Sequence, residues 1–411
     1  MKIGLVSQWY PPEGVFIPGN LADQLADRGH EVRVLTTFPS YPHGRIFPGW
    51  RQRWRHQESD GPVEIRRVPA YPSHDTSAAR RAVSHLSFGA SSAAGVRWLA
   101  GVDVTYVYHP PPTSIAAAAL LHAVRRTPIV LHVQDLWPES VVHSGMAPPG
   151  RKGRALASAL GELMRRTYRM ADAVVAISPA MAEQVVARGA DPARVRVVWN
   201  WTDDALFRPV PATAAARAVL GHRGRPTVMF AGNIGLLQGI ETAVRAAAAV
   251  RDQVDVVLVG SGAGEDAARR LAAELGADNV RFVGRRPAEQ MADLYAAAEW
   301  QLICLRDVPA LRAAVPSKLQ AALACGVPVI ASVAGDTASL VRSTGVGLVC
   351  PPEDWQALAD RFAEAAAQPT FAREEMGRRA RQVYQERMSL RAGVDQFEDI
   401  LAKVAAERGR A

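Results

Sequence analysis

In the stretch "AAVPSKLQAALACGVPVIAS", Pro316 is followed by Ser317, Lys318 and Leu319, and then by an alanine-rich run with helical spacing. A helix start leaves backbone N–H groups unbonded at the positive end of the helix dipole, and an ammonium beside them adds a full charge. The chemistry this suits is binding of an anion. A second stretch, "FAGNIGLLQGIE", passes from an apolar strand through Gly232, Asn233, Gly235, Gln238 and Gly239 into another helix. Glycines let the backbone approach a ligand closely, and such strand–loop–helix turns commonly cradle phosphates. This loop carries no Lys or Arg. The spacing predicts that Lys318 brings the missing charge from a neighbouring loop, with Ser317, Leu319, Asn233 and Gln238 around the ligand. "VGSGAGEDAARR" adds Gly260, Gly262 and Gly264, but Glu265 stands where the third Gly of G-x-G-x-x-G belongs, and the motif follows the second strand of its unit. Both departures weaken a nicotinamide-cofactor reading.

A different chemistry is suggested in the first half. "VLHVQDLWPES" ends a strand at Gln134 and Asp135 and places Trp137 between Asp135 and Glu139. Carboxylates accept hydrogen bonds from hydroxyls, and an indole face packs on a sugar ring, so the pattern fits a polyhydroxyl ligand; the plain alternative is a helix N-cap at Asp135. "YVYHPPPT" puts His109 at a strand end, where it could donate to a phosphate or a hydroxyl. "YPPEGVFIPGN" offers Gly14 in the first strand–helix turn. Ser178 in "AISPAM" reads as an N-cap followed by a first-turn proline. No D-x-D occurs, so metal-bridged diphosphate binding is not expected, and neither is a metal or other cofactor. G-x-x-x-x-G-K-[ST], H-E-x-x-H and G-x-S-x-G are also absent.

Positioning these loops requires alternating strands and helices. In the first half the strand candidates are "KIGLVS", "EVRVLTT", "VEIRRV", "VDVTYVYH", "PIVLHVQ", "ADAVVAIS" and "VRVVWN"; in the second they are "TVMFAG", "VDVVLVG", "NVRFVG", "EWQLICL", "VPVIAS" and "VGLVC". Continuous Val/Ile-rich strands separated by helical segments predict parallel sheets covered on both faces. The expected fold is therefore α/β, with two Rossmann-like, doubly wound domains facing across a cleft. The predicted boundaries are 1–199 for the first domain, 200–226 for a proline-rich linker, 227–385 for the second domain, and 386–411 for a terminal helix that packs back on the first. Ligands of such sheets bind beyond the carboxyl ends of the strands.

A chain of 411 residues exceeds one ordinary core, in keeping with two domains. Its three cysteines, Cys304, Cys325 and Cys350, are far apart in apolar surroundings and suggest neither disulfides nor zinc. The N-terminus lacks a cleavable leader pattern, and the longest apolar run is too short to span a bilayer, so the cytoplasm is expected. Net charge is +8; through Arg208 there are 24 Lys+Arg against 17 Asp+Glu, so the first half carries nearly all the excess. It either reflects a solvated basic surface or meets something anionic, such as a membrane or a phosphate-bearing acceptor. "GRIFPGWRQRWRH" fits an interfacial patch and a packed surface loop equally. Nucleic acid is not an expected partner.

Read together, "PPEGV…LADQLADRGHEVRVLT", "ISPAMAEQVVARG", "VVWNWTDDALFRP", "AGNIGLLQGIETAVRAA", "LVGSGAGEDAARRLA", "NVRFVGRRPAEQMADLYAAAE" and "PSKLQAALACGVPVIA" resemble glycosyltransferase family four, the retaining GT-B enzymes, over nearly the whole chain. "FPSYPHGRIFPGW", "QDLWPES" and "GNIGLLQG" resemble the branch of bacterial surface-polysaccharide assembly, similar to the N-acetyl-fucosamine transferases. The resemblance implies a UDP-sugar donor bound mainly by the second domain and a sugar, glycolipid or small-molecule acceptor. It implies a nucleobase near Gly284, Arg285 and Arg286. In the family pattern an Arg follows the first Gly of the opening loop and a Lys comes five residues later; here they are Asn233 and Gln238. The E-x7-E carboxylates fall on Ala313 and Ala321, and the N-domain histidine aligns with Gln134. Ser317 and Lys318 are expected to take over the diphosphate, and the sugar and acceptor to sit against Gly14, His109, Asp135 and Glu139. A secondary-metabolite acceptor, or a non-catalytic nucleotide-sugar-binding role, are the alternatives.

Overall fold

The structure is a computed structural model that describes residues 1–74, 77–138 and 150–408. It forms two compact units, Met1–Trp199 with Val394–Ala411, and Asn200–Gly393.

The first unit is built on an eight-stranded sheet: β1 (Lys2–Val6), β2 (Glu31–Thr37), β3 (His56–Asp60), β4 (Val63–Val68), β5 (Val104–His109), β6 (Ile129–Val133), β7 (Ala173–Ala176) and β8 (Val195–Val197). Their spatial order is β3-β4-β2-β1-β5-β6-β7-β8. All pairs are parallel except β3 with β4. The central strands β5, β6 and β7 are buried along their whole length, as expected for strands covered on both faces. The order turns back between β1 and β5, which opens a crevice beyond their carboxyl ends.

The seven strands read from sequence are present, and β3 is an eighth. Its sequence, HQESD, has no apolar alternation, so it is invisible to a periodicity argument. It forms because Gly61, at φ +53°, closes a tight turn back onto β4. The pairing brings Glu58 to Arg67, a side chain only 2% exposed. Arg67 donates to Glu58 (2.6 Å), to the carbonyls of Thr37 (2.9 Å) and Pro11 (2.7 Å), and lies 4.6 Å over the Trp50 ring. Trp50 also meets Phe38 and His56 edge-on. Much of the basic–aromatic stretch is thus packed. Trp54 is not: it is 63% exposed, with Arg51, Arg53 and Arg55 exposed around it.

The last helix, Leu390–Arg408, returns to this unit. Phe397 packs on His132 and Tyr106. Glu398 accepts from Arg28 (2.5 Å) and pairs with His30 (2.8 Å), while Arg28 also reaches Asp395 (2.6 Å).

The second unit holds β9 (Thr227–Ala231), β10 (Asp255–Val259), β11 (Val280–Gly284), β12 (Trp300–Cys304), β13 (Val329–Ser332) and β14 (Gly347–Cys350), ordered β11-β10-β9-β12-β13-β14 and parallel throughout. These are the six strands read from the sequence. Phe230, Trp300, Leu302 and Phe362 are fully buried in the core beneath the helices. The proline-rich 200–226 is more than a tether: Trp201 is 1% exposed, and Thr213 caps a helix, Ala214–Leu220, whose Leu220 is buried. A sequence reader sees only the prolines there because the helix is just two turns long.

Arg67 ties Glu58 and two backbone carbonyls together at the sheet edge. Arg67→Ala should lower unfolding free energy by about 3 kcal/mol, the usual cost of breaking a buried pair, whereas the exposed Arg53→Ala should change it by less than about 0.5 kcal/mol. Urea melts of the two variants check this.

Candidate functional site

In the second unit the strand order reverses between β9 and β12, and the loops that follow those two strands face the crevice where doubly wound sheets take ligands. Gly232 begins the loop after β9 with φ +129°, a conformation side chains avoid. Lys318 lies in the first turn of the helix Ser317–Cys325. A Cβ built on Gly232 would stand 3.1 Å from Lys318 Cε and 3.6 Å from Nζ. The ammonium sits 4.9 Å over the Phe230 ring. The structure thus places the Lys318 side chain against the glycine turn that follows β9. Burial pushes the Lys318 pKa down, with Cys304 nearby opposing the shift. No carboxylate pairs with Lys318 among the described residues.

The glycines after β10 have a packing role. A Cβ on Gly260 would lie 1.8 Å from the Gly232 carbonyl oxygen, and one on Gly262 2.5 Å from that of Ile234. The two loops run backbone against backbone: Gly232 N–H donates to Val259 O (2.8 Å) and Ile234 N–H to Ser261 O (3.0 Å). The amides of Gly232 and Ile234 are therefore already bonded within the fold. Asn233 is exposed, and its side chain and that of Gln238 both approach Gly235, where an added Cβ would be 2.7 Å from Asn233 Nδ2 and 2.6 Å from Gln238 Oε1. Arg306 braces the loop from outside: it donates to Leu236 O (2.7 Å) and pairs with Glu353 and Glu241. Nothing local in the sequence marks Arg306, which follows β12 by two residues.

Ser317 is exposed and is the first helical residue; the N-cap is Pro316, and the Ser317 hydroxyl makes no cap bond. Leu319 is fully buried, so it supports the helix start and does not face a ligand; the donor-contact expectation for it is corrected on that ground. Gly284 adopts φ +76°, Arg285 bonds the Ser261 hydroxyl, and Arg286 is exposed. Ala313 and Ala321 are buried, so no carboxylate stands at either position.

In the first unit Gly14 is exposed with nothing near its Cβ position. Its neighbour Glu13 organises the loop instead, accepting from the backbone of Tyr10 (3.0 Å), Ser40 (2.7 Å) and Tyr41 (2.7 Å). Burial raises its pKa against those bonds. Asp135 reaches solvent beyond β6, though the protein packed around it raises its carboxyl above the ordinary range. His109 is fully buried and neither ring nitrogen has a hydrogen-bond partner among the described residues. Burial pushes its pKa down to about 4. The expectation that His109 meets a ligand is corrected: a side chain without solvent access does not donate outward. Ser178 caps its helix through Met181 N–H (3.2 Å). Glu139 lies outside the described residues.

With this geometry in view the comparisons can be read. The family Glycosyl transferase 4-like domain matches residues 18–201, and Glycosyl transferases group 1 matches residues 213–383. WcaI of Escherichia coli (strain K12), named provisionally as a colanic acid biosynthesis glycosyl transferase, is 28% identical over 394 residues, 91% of this chain and 95% of its own. A D-inositol 3-phosphate glycosyltransferase of Catenulispora acidiphila is 31% identical over 314 residues, 71% of this chain and 70% of its own. This chain belongs to the family-four glycosyltransferases. Its fold is also that of the sucrose-phosphate synthase from Thermosynechococcus elongatus, at TM-score 0.73 and 22% identity over 99% of this chain and 100% of that one. Anabaena HepE, solved in complex with UDP-glucose, matches at TM-score 0.66 and 19% identity over 98% of this chain and 100% of HepE. The transferase is thus a GT-B α/β protein.

An ammonium that is desolvated without a partner destabilises the transferase in its empty state. Its folded pKa lies below the ordinary 10.5, so the penalty is present while it stays protonated and fades as pH rises through the folded pKa. Lys318→Met, which keeps the stem, should therefore raise unfolding free energy at pH 7. The gain should shrink toward pH 10. Urea melts across pH measure both.

Proposed function

We propose that this transferase takes a sugar from a UDP-sugar and moves it, with retention, to an acceptor hydroxyl in the assembly of a surface polysaccharide or glycolipid. The observation that carries the reading is the unpaired Lys318 ammonium seated against the Gly232 turn. In the reaction the bond between sugar C1 and the diphosphate breaks, the acceptor oxygen bonds C1 and gives its proton to the departing diphosphate oxygen, and UDP leaves with negative charge. Lowering that barrier requires positive potential already in place where charge accumulates. Lys318 supplies it, with the Ser317 helix start and the Asn233 and Gln238 amides as uncharged donors. The family pattern's two cations at positions 233 and 238 are replaced by one from another loop. An ammonium in this role makes a metal unnecessary.

The nucleobase is assigned to Gly284, Arg285 and Arg286, and the acceptor to the first unit near Asp135. The naming of WcaI for colanic acid supports a polysaccharide product, and HepE with its UDP-glucose supports the donor class. The exposed Trp54 amid Arg51, Arg53 and Arg55, in a stretch without carboxylates from Gly44 to Gln57, suits an anionic bilayer carrying a lipid-linked acceptor. No described helix is long and apolar enough to cross a membrane.

Calorimetry with UDP and GDP, followed by turnover with a donor panel, tests the reading. UDP should bind, and Lys318→Ala should weaken it by about thirtyfold, near 2 kcal/mol, and abolish transfer; unaltered UDP affinity in that variant would overturn the assignment. Transfer should proceed undiminished in EDTA. Asp135→Asn should lower kcat by about a hundredfold while leaving UDP affinity alone; a fall in UDP affinity instead would move Asp135 to the donor half.

A further inference from the structure

Beyond the carboxyl edge of the first sheet, four aromatic rings from three loops and one helix converge. Trp9 follows β1, Tyr41 follows β2, Trp137 follows β6, and His85 projects from the helix Ala78–Ala94. Trp9 meets Tyr41 at 5.5 Å and His85 edge-on at 6.1 Å, and His85 meets Trp137 edge-on at 6.3 Å. Trp9, Tyr41 and His85 are half-buried and so present part of their surface, with Asp135 exposed two residues before Trp137. Asp135 and Tyr41 both lie close enough to Tyr108 to raise its phenol pKa, which places them in one neighbourhood. The indole nitrogen of Trp137, a side chain 9% exposed, has no hydrogen-bond partner among the described residues.

His85 is held in one tautomer. Gln8, 4% exposed at the end of β1, donates its amide nitrogen to Ser84 Oγ (3.3 Å), which leaves its oxygen for His85 Nδ1 (3.1 Å). An oxygen can only accept, so Nδ1 carries the proton and Nε2 keeps a lone pair. Burial, with Arg81 and His74 nearby, pushes the His85 pKa down to about 4, so the ring is neutral near pH 7. The Gln8–His85 pair is a standard way to fix which ring nitrogen does work.

We infer that Trp9, Tyr41 and His85, backed by the buried Trp137, form a binding site for an uncharged carbohydrate ring, with His85 Nε2 accepting a hydrogen bond from one of its hydroxyls and the Trp9 indole packing on its C–H face. The imidazole lone pair and the Asp135 carboxylate are acceptors, while the Trp137 indole N–H is a donor and the Tyr41 hydroxyl is both, a mix that suits hydroxyl groups, which donate and accept. Aromatic faces carry negative potential and favour the weakly positive hydrogens of a sugar ring. This inference rests on the transferase reading only in naming the ring as the acceptor; the site itself requires no donor.

The test is saturation-transfer NMR on the full chain with methyl glycosides of glucose, galactose, mannose, fucose and N-acetylglucosamine, without nucleotide. At least one glycoside should receive saturation at its ring hydrogens. Trp9→Ala and His85→Ala should each reduce the signal about tenfold with UDP calorimetry unchanged. His85→Gln, which keeps an acceptor oxygen, should retain most of it, and the distant, exposed Phe371→Ala should retain all. Should His85→Ala melt early, His85→Leu and Trp9→Leu carry the same decision. Absence of any signal in the wild type, or full signal in the Trp9 and His85 variants, overturns the site; loss in Trp9→Ala alone overturns the part given to His85. Because no donor is added, failure here is separable from failure of UDP binding at Lys318.

Discussion

The second unit depends on keeping one ammonium partly desolvated and without a carboxylate. Lys318 reaches the crevice between β9 and β12 with its stem along Gly232 and its head over Phe230. The aromatic face tolerates the charge without neutralising it. Two features make the approach possible. Gly232 has no side chain to bar it, and the helix from Ser317 begins close enough to the sheet to direct its second residue there. A carboxylate in place of either buried alanine, 313 or 321, would put negative charge into the same helix region, and the chain has none there.

The glycines around this point divide into two kinds, and the sequence does not distinguish them. Gly232 opens space for Lys318. Gly260 and Gly262 open space for the backbone of the Gly232 loop itself, and the bonds Gly232 N–H to Val259 O and Ile234 N–H to Ser261 O seal the two loops together. That sealing removes amides from the ligand's reach, yet it fixes the loop's position, and fixed donors are worth more than mobile ones where charge must be stabilised. Arg306 adds to the same rigidity from the far side through Leu236 O, Glu241 and Glu353.

Strands were legible wherever burial on both faces enforces runs of Val, Ile and Leu, as in β6 and β10. β3 escaped because an antiparallel edge strand needs neither apolar alternation nor Val/Ile, only a glycine turn and a partner. Lys318 stood out because a cation in a helix's first turn is a local pattern; its place against Gly232, on a loop distant in sequence, is set by the fold. His109 misled because its local pattern, a histidine at a strand end, is blind to what covers it; the fold buries the ring completely. His85 could not be found at all, since its character comes from Gln8, 77 residues away, and from rings on three separate loops.

On the proposed donor and acceptor assignments, the two units need different electrostatics. A diphosphate must be met by positive potential that water would otherwise provide, so the second unit bears the cost of an unpaired ammonium at Lys318. A carbohydrate ring carries no charge and is recognised by shape, C–H contact and directed acceptors, so the first unit can be assembled from neutral rings and a tautomer held by Gln8. Its charged side chains are free for other work: Arg67 and Glu58 secure the sheet edge, and Arg28, His30 and Glu398 secure the last helix. The excess of basic residues in the first half therefore says nothing about the ring it would bind. Part of it is structural, as in Arg67, and part lies outward around Trp54, where it can only act on something outside the fold.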